Sequence, residues 1–168
     1  MSRAARARAA GAALLCLALV QACSAPDRAP APVQVSWPGC AAVGAFLDER
    51  GQGPSGVGGV PAGFAPVTVV LCQEGGAPDA AGDPVGGLER TSTEVGPLLT
   101  YLDQPSKRPS DGPCTADGWL APWLFLLDAD DRYVAPAIPV DGCGKPLGWS
   151  DRDRLAWLTL PYTDRVVR

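Results

Sequence analysis

The sequence contains no histidine and no asparagine, and its only lysines are Lys107 and Lys145. Histidine is the commonest general base at neutral pH, so its absence excludes catalytic arrangements of the Ser-His-Asp and Cys-His kinds. The S-x-x-K pattern of penicillin-binding proteins occurs at neither lysine. Residues 53–57 come near the G-x-S-x-G nucleophile elbow, but the last position is valine and no strand precedes them. The sequence therefore does not indicate these forms of nucleophilic catalysis.

The amino-terminal 23 residues have the plan of an export signal. Three arginines precede an apolar run over residues 9–20, and the small residue Ala22 stands directly before Cys23. The run is shorter than the roughly 20 residues that a membrane-spanning helix needs. A retained anchor helix and ordinary secretory cleavage near Ala22 or Ala25 are the alternatives to processing at Cys23. Each of these readings predicts export.

Residues 20–23 (VQAC) resemble the lipobox of bacterial lipoproteins, which ends in a cysteine that receives a diacylglycerol thioether. Val20 and Gln21 depart from its usual leucine and small residue. The resemblance covers only the first 23 residues. It implies that residues 1–22 are a signal peptide and that Cys23 is lipidated. It also implies that the mature protein is anchored at the extracytoplasmic face of the cell membrane.

The preference for arginine over lysine and the abundance of Ala, Gly, Pro and Val resemble the composition of actinobacterial proteins. The chain is loosely similar to the small cysteine-containing lipoproteins of unknown function from such bacteria. Loss of residues 1–22 leaves 11 of the 14 basic residues against 18 acidic ones, a formal charge of −7. Polyphosphates bind basic surfaces, so a nucleic-acid partner is not expected.

Four cysteines remain in the mature domain beside the lipidated one. An even number in an exported chain predicts two disulfides. Their spacing is too wide for a zinc site, which normally uses close pairs and often histidine. Of the three possible connectivities, the one in which each bridge closes one half of the domain is favoured, and the sequence leaves the others open. This connectivity joins Cys40 to Cys72 and Cys114 to Cys143.

The mature chain divides into a tether and one domain. Residues 23–36 are rich in proline, which favours an extended, solvated path of about 3 Å per residue and a reach of about 35 Å from the membrane. Residues 37–168 are then the folded domain, which begins near Trp37. Residues 41–48 allow a helical turn or two. Residues 51–63 contain six glycines and two prolines and predict a flexible loop rather than a phosphate-binding loop, since no lysine is near.

The first half of the domain predicts a hairpin and a helix. Residues 67–72 are apolar on both faces and β-branched, which is typical of a buried strand. A turn leads to a partner strand over residues 85–92. Pro97 then lies in the first turn of a short helix that ends before Pro105.

The second half repeats this plan. Residues 119–127 are the most apolar stretch of the mature chain and predict a strand. An acidic turn over residues 128–131 leads to a returning strand over residues 133–140. Two prolines in that strand make it an edge or a bulged strand. Ser150 is then the predicted N-cap of a final helix that ends near Leu160.

Two hairpin-plus-helix halves predict an α+β domain with a small antiparallel sheet, helices on one face and two disulfides. Five tryptophans suit either a core or a ligand groove that stacks on aromatic rings. They are Trp37, Trp119, Trp123, Trp149 and Trp157.

Carboxylate chemistry stays open because it needs only two acids at a set separation. Glu74, Glu89, Glu94 and the acids of residues 128–131 are candidates by residue type alone, and a solvated acidic surface is the simpler explanation. The acidic turn also suits calcium, although it lacks the glycine and distal glutamate of an EF-hand loop. No cofactor and no metal are expected.

The sequence therefore favours a lipid-anchored binding module, without catalysis, whose partner is an envelope protein or glycan. The alternatives are a carboxylate-dependent hydrolase of cell-envelope material and a structural envelope lipoprotein. The predicted partner surface lies on the second hairpin, where an edge strand and a disulfide would support recognition. Its residues are Asp128, Asp130, Asp131, Tyr133 and Lys145.

Overall fold

A computed structural model describes residues 28–42, 57–74, 87–115, 123–151 and 155–167. Its strands form one antiparallel five-stranded sheet in the order β4-β3-β1-β2-β5. The predicted α+β class and the two hairpin-plus-helix halves are confirmed, and β1 joins the halves by pairing with β3. The elements are β1 (Thr68–Glu74), β2 (Gly87–Ser92), α1 (Gly96–Leu102), β3 (Trp123–Leu127), β4 (Tyr133–Val134), α2 (Ala156–Thr159) and β5 (Thr163–Val167).

The two central strands are buried on both faces, which is why neither alternates between polar and apolar residues. On one face, alternate residues of β1 and β3 pack against the two short helices, as predicted. Leu98 and Leu102 of α1 lie four residues apart and so share the side of the helix that faces the sheet. Around α2 the core is completed by Leu155, Trp157 and Leu160.

The opposite face of the sheet carries a second core built on aromatic rings. The ring of Trp37 lies 4.8 Å from that of Phe125 and 5.1 Å from that of Tyr133, between centroids. Cys40 and Cys72 are buried in the same cluster. Residues 37–42 therefore cover this side of β1 and β3.

Both disulfides have the predicted pairing. Cys40–Cys72 ties the segment before residue 42 to β1, and Cys114–Cys143 ties the loop after α1 to the loop after β4. The first bridge is buried, whereas both cysteines of the second are exposed.

Strand β5 is absent from the predicted plan. Its residues Asp164 and Arg165 have low strand propensity. They pair with residues of β2, which are distant in the chain. Asp164 accepts a 2.9 Å hydrogen bond from Arg90 of β2, and Arg165 pairs with the buried carboxylate of Glu89. Charge pairs across β2 and β5 therefore stabilise a strand that the hydrophobic pattern does not show.

The predicted tether is wrong over residues 28–36, and the domain does not begin at Trp37. Ala31 is 3% exposed and belongs to the helix-side core. Gln34 exchanges two backbone hydrogen bonds with Tyr133, at 2.8 and 3.0 Å. Polyproline-like composition predicted a solvated path, but the backbone groups of an extended segment can equally pair with a sheet edge.

Of the strand predicted over residues 133–140, only β4 forms. The outer edge of β4 is covered by Gln34, which pairs with Tyr133. Pro136 has no amide to donate, and the backbone here leaves β3 and bonds to Gly58 instead. Gly58 donates to Ala135 and accepts from Ala137, at 3.2 and 2.7 Å. A Cβ at Gly58 would lie 2.4 Å from the carbonyl oxygen of Ala29. Only glycine therefore fits between residues 29–31 on one side and residues 135–137 on the other. Gly58 and Gly59 thus form isolated bridges to Pro136 and Pro30, outside the five strands, rather than belong to the predicted free loop.

The final helix does not begin at Ser150. Its N-cap is Leu155, without a side-chain capping bond, while Asp151 donates to Gly148 in a separate turn. Near residue 41 the structure shows only a single short turn, in which Ala42 donates to Gly39 at 3.1 Å. Several predictions concern residues outside the described part of the chain. They are those for residues 1–27, which include Cys23, for residues 43–48 and for the beginnings of the strands predicted at residues 85 and 119.

Candidate functional site

The structure does not bring the five residues of the predicted partner surface into one site. Asp130 and Asp131 are exposed in the β3–β4 turn, and Tyr133 is half-buried against Trp37. Lys145 lines a separate cleft that none of the other four residues reaches. The edge strand expected to leave its backbone unpaired is covered by residues 34 and 58. The basis for recognition by this hairpin is therefore lost.

Asp128 is a structural residue of the turn. It is 5% exposed, and its Oδ1 accepts hydrogen bonds from the amides of Asp130 and Arg132, both at 3.0 Å. Its Oδ2 accepts from Arg132 Nε at 2.7 Å. Burial raises the pKa of this carboxyl, but the hydrogen bonds from Arg132 and the two amides lower it by more. The net result is a pKa below the ordinary aspartate value, so the group stays ionised and closes the turn.

The candidate site is a cleft between the loop after α1 and the loops after β4, here called the loop cleft. Its volume is about 590 Å³. Its described lining residues supply one aromatic ring, two amines, one carboxylate and two side-chain hydroxyls. The residues that line it are Lys107, Thr115, Asp141, Lys145, Leu147, Gly148, Trp149 and Ser150.

Two backbone hydrogen bonds and a disulfide hold the walls of the loop cleft together. Lys107 donates to the carbonyl of Val140 at 2.8 Å, and Ser110 donates to that of Gly142 at 2.7 Å. A Cβ at Gly142 would lie 3.0 Å from the carbonyl oxygen of Arg108, so the glycine permits this close approach. The Cys114–Cys143 bridge then fixes the far end of the same pair of loops.

Asp141 shapes one wall of the cleft. Its Oδ1 accepts hydrogen bonds from the amides of Cys143 and Lys145, at 2.8 and 3.0 Å. This is an aspartate-stabilised turn, which fixes the backbone on which Lys145 is carried. The ammonium group of Lys145 donates to the hydroxyl of Thr115 on the opposite wall.

The floor of the cleft is attached to the helix-side core. The phenol of Tyr101 on α1 donates a 3.1 Å hydrogen bond to the carbonyl of Leu147. Burial raises the pKa of Tyr101, against smaller lowering effects from Trp157 and Arg28, so the phenol remains a donor at neutral pH. Trp149 packs partly on this core and also lines the cleft. Helix α1 thereby positions the aromatic ring of the site.

A second cavity, of about 1010 Å³, lies between α1 and the amino-terminal segment. Its one basic residue, Arg28, is fully used in joining the segments. Arg28 donates to the carbonyls of Ala137, Gln104 and Leu102 at 2.9, 3.2 and 3.4 Å, and to the hydroxyl of Ser106 at 2.7 Å. This cavity therefore marks a joint of the fold, and the loop cleft is the better ligand site.

The described lining residues of the loop cleft supply groups that can bind a polar ligand. Asp141 is the one carboxylate among its lining residues, and half of it is engaged by backbone amides. In the described part of the chain no three His, Cys, Asp or Glu side chains cluster as a metal site would require, and neither helix could span a bilayer. Comparison of the chain with protein-family models, curated proteins and solved structures finds no match.

Lys145 is the one residue of the predicted partner surface that lines the loop cleft, and the sequence did not indicate the cleft as a site. It treated Trp149 as either core or groove, and the structure makes it both. One signal was available. The predicted Cys114–Cys143 bridge sets Thr115 beside the loop of Lys145, and so indicates that the two loops form one surface.

Proposed function

We propose that this protein is a lipid-anchored, extracytoplasmic binding module that holds a polar ligand of the cell envelope in the loop cleft. The observation that carries the proposal is the loop cleft itself, in which Trp149, two lysines and two hydroxyls meet between cross-linked walls. Walls that are rigid before binding reduce the conformational entropy lost when a ligand binds. The signal-like residues 1–23 and the disulfides, which persist in oxidising compartments, support the location.

The ligand class that suits the cleft is an acidic saccharide segment of an envelope glycan. A volume of about 590 Å³ falls in the usual range for small-ligand sites. An aromatic ring offers an apolar face, while amines and hydroxyls serve the hydroxyl groups of a sugar. Among the described lining residues, Lys107 and Lys145 outnumber the one carboxylate, Asp141, so these residues give the cleft a net positive charge on an acidic chain. A carboxylated sugar would therefore be preferred over a neutral one.

The carboxylate-hydrolase alternative receives less support. It needs two acids that flank the bond to be cleaved. The most buried acids of the described residues, Glu89 and Asp128, are each paired with an arginine and serve the sheet and the turn. Among its described lining residues, the loop cleft offers Asp141 alone.

Titration of the lipidated protein in detergent with carboxylated and neutral envelope-glycan fragments tests the proposal. Tryptophan fluorescence reports stacking on Trp149, and calorimetry gives the affinity. Trp149→Phe should remove most of the fluorescence change and weaken binding, because it shortens the stacking face. Lys145→Gln should weaken binding of the carboxylated fragment by about 10-fold or more, the worth of one charge-assisted hydrogen bond.

Arg108→Gln is the matched control for Lys145→Gln, because it also removes one exposed charge from the same pair of loops and does not line the cleft. It should leave the affinity unchanged. If wild type and Lys145→Gln bind equally, and thermal melts show that both proteins are folded, the loop cleft is not the ligand site. Release of reducing sugar from the fragments would instead favour the hydrolase.

A further inference from the structure

The folded domain begins close to the proposed lipid anchor. Arg28 is held by hydrogen bonds to Ala137 and Ser106 of the domain. Only five peptide units separate this residue from Cys23. A fully extended chain covers at most about 3.6 Å per residue, which limits the distance between these two Cα atoms to about 18 Å. That is half the reach of the tether that the sequence predicts. The surface around Arg28 therefore faces the membrane if Cys23 carries the lipid.

The loop after α1 lies at this entry point. Arg28 Nη2 donates to the hydroxyl of Ser106, and that hydroxyl in turn accepts from the amide of Val140 at 3.1 Å. Lys107 and Arg108 follow Ser106 directly in the chain, and both are exposed. The residues nearest to the anchored segment thus include two adjacent cations.

These two cations differ from the other basic side chains of the described residues. Arg90, Arg132 and Arg165 each form an ion pair with an acid. Arg28 is held by carbonyls, and Lys145 by Thr115. The described residues provide no ion pair for Lys107 or Arg108. Their charge is available to a partner outside the chain.

We infer that Lys107 and Arg108 contact the anionic headgroups of the membrane in which Cys23 is anchored, and so set the orientation of the domain. A basic residue near an anionic bilayer is attracted by electrostatic energy that falls off within a Debye length, and the short connection to Cys23 keeps both residues in that range. The mature chain carries a formal charge of −7, so an anionic membrane repels most of its surface and selects a local positive patch.

This orientation also places the loop cleft near the membrane, because Lys107 lines it. The inference rests on the proposed anchoring at Cys23, and it deepens the proposed function by predicting that the ligand is presented close to the bilayer. It does not depend on the chemical identity of that ligand.

Lysine footprinting of the lipidated protein tests the contact. The protein is placed in vesicles of phosphatidylcholine, or of phosphatidylcholine mixed with phosphatidylglycerol, and treated with an amine-acetylating reagent. Mass spectrometry then reads both lysines of the chain, with Lys145 as the internal reference. Lys107 should be modified about fivefold more slowly on the anionic vesicles, the ratio expected for the attraction of one cation. High salt should abolish the difference, and Lys145, which lines the same cleft but donates to Thr115, should slow by less than Lys107.

Arg108→Glu should remove the protection of Lys107, and Arg108→Lys should keep it. Equal modification of Lys107 on the two kinds of vesicle overturns the inference, as does protection that persists in high salt, which would indicate that another molecule covers the loop. Failure of the anchoring is recognised separately, because the unlipidated chain would not float with either vesicle. Failure of glycan binding would leave the protection of Lys107 intact.

Discussion

Arg28 donates a 2.7 Å hydrogen bond to the hydroxyl of Ser106, which lies 78 residues further along the chain. With its contacts to the carbonyls of Ala137, Gln104 and Leu102, the guanidinium joins the amino-terminal segment to α1 and to the chain after β4. Carbonyl oxygens at the end of a helix carry partial negative charge, which a cation offsets. This one side chain therefore converts a proline-rich segment into part of the domain.

Arg28→Gln should lower the free energy of unfolding by about 1.5 to 3 kcal/mol, because hydrogen bonds from a charged donor to three carbonyls and a hydroxyl are lost. Urea titration followed by circular dichroism measures the change, with Arg108→Gln as a control that removes a charge without removing a contact. Limited proteolysis should also cut the variant faster between residues 28 and 36. An unchanged midpoint and unchanged cleavage would show that Ala31 and Gln34 alone hold the segment.

Asp128 and Asp130 are two residues apart in the same turn, yet they should behave differently on mutation. Asp128→Asn should lower the melting temperature, because it removes the ion pair with Arg132 and the charge that the two amides stabilise. Asp130→Asn is the matched control, since its side chain is 80% exposed. Calorimetry of both variants measures the difference. If the two variants have the same melting temperature, the stability of the turn does not depend on the buried carboxylate.

The same carboxylate gives a pH dependence with a definite sign. The pKa of Asp128 is lower in the folded protein than in the unfolded chain, so its stabilisation is complete above the ordinary pKa of about 3.9. It is lost as the pH falls from there through the folded-state pKa. The difference in melting temperature between wild type and Asp128→Asn should be constant from pH 5 to 7 and shrink below about pH 4. If the difference in melting temperature is as large below about pH 4 as it is at pH 7, another group provides the stabilisation.

The two disulfides should be reduced at different rates under mild reducing conditions. Each closes a loop of similar length, with separations of 32 and 29 residues, so the chain-entropy model assigns each about 3.5 kcal/mol. Access differs, because Cys114 and Cys143 are exposed while Cys40 is 6% and Cys72 is 2% exposed. Timed alkylation with mass spectrometry should therefore show that the Cys114–Cys143 bridge is reduced first.

Replacement of each bridge by alanines gives the matching comparison. Cys40→Ala with Cys72→Ala should cost more stability than Cys114→Ala with Cys143→Ala, because the buried pair also loses packing in the aromatic core. The second pair of substitutions should loosen the loop cleft and weaken the binding of glycan fragments. Equal costs and unaffected binding would contradict the structural division between the two bridges.

The sheet and the bridges could be predicted from local pattern, and the edges of the sheet could not. Residues 67–72 and 119–127 have apolar runs typical of buried strands, and strands lie there at Thr68–Glu74 and Trp123–Leu127. The even number of cysteines after Cys23, with one bridge expected in each half of the domain, predicted the correct pairs. Strand β5 depends on Arg90 and Glu89, which lie more than 70 residues earlier. No local pattern of hydrophobicity carries such a pair.

The predicted partner surface shows the same limit. A run of three aspartates in a turn looks like an acidic surface, but the fold buries Asp128 and leaves Asp130 in solvent. The two prolines predicted an edge or a bulged strand, and β4 does lie at the end of the strand order. The sequence could not show that Gln34 and Gly58 would pair with the freed backbone, because their segments are distant in the chain and rich in residues typical of loops.

The amino-terminal segment also determines how the domain meets mechanical load. Tension applied to the chain before residue 28 reaches the Arg28 contacts first, then the bond from Ala31 to Gly59, and only then the two bonds between Gln34 and Tyr133. These contacts open one after another from the end of the segment, as in peeling. The central pairing of β1 with β2 and β3 lies behind them, and the Cys40–Cys72 bridge stops the peeling at residue 40. A pull on the chain before residue 28 would thus lengthen the amino-terminal connection before it could unfold the sheet.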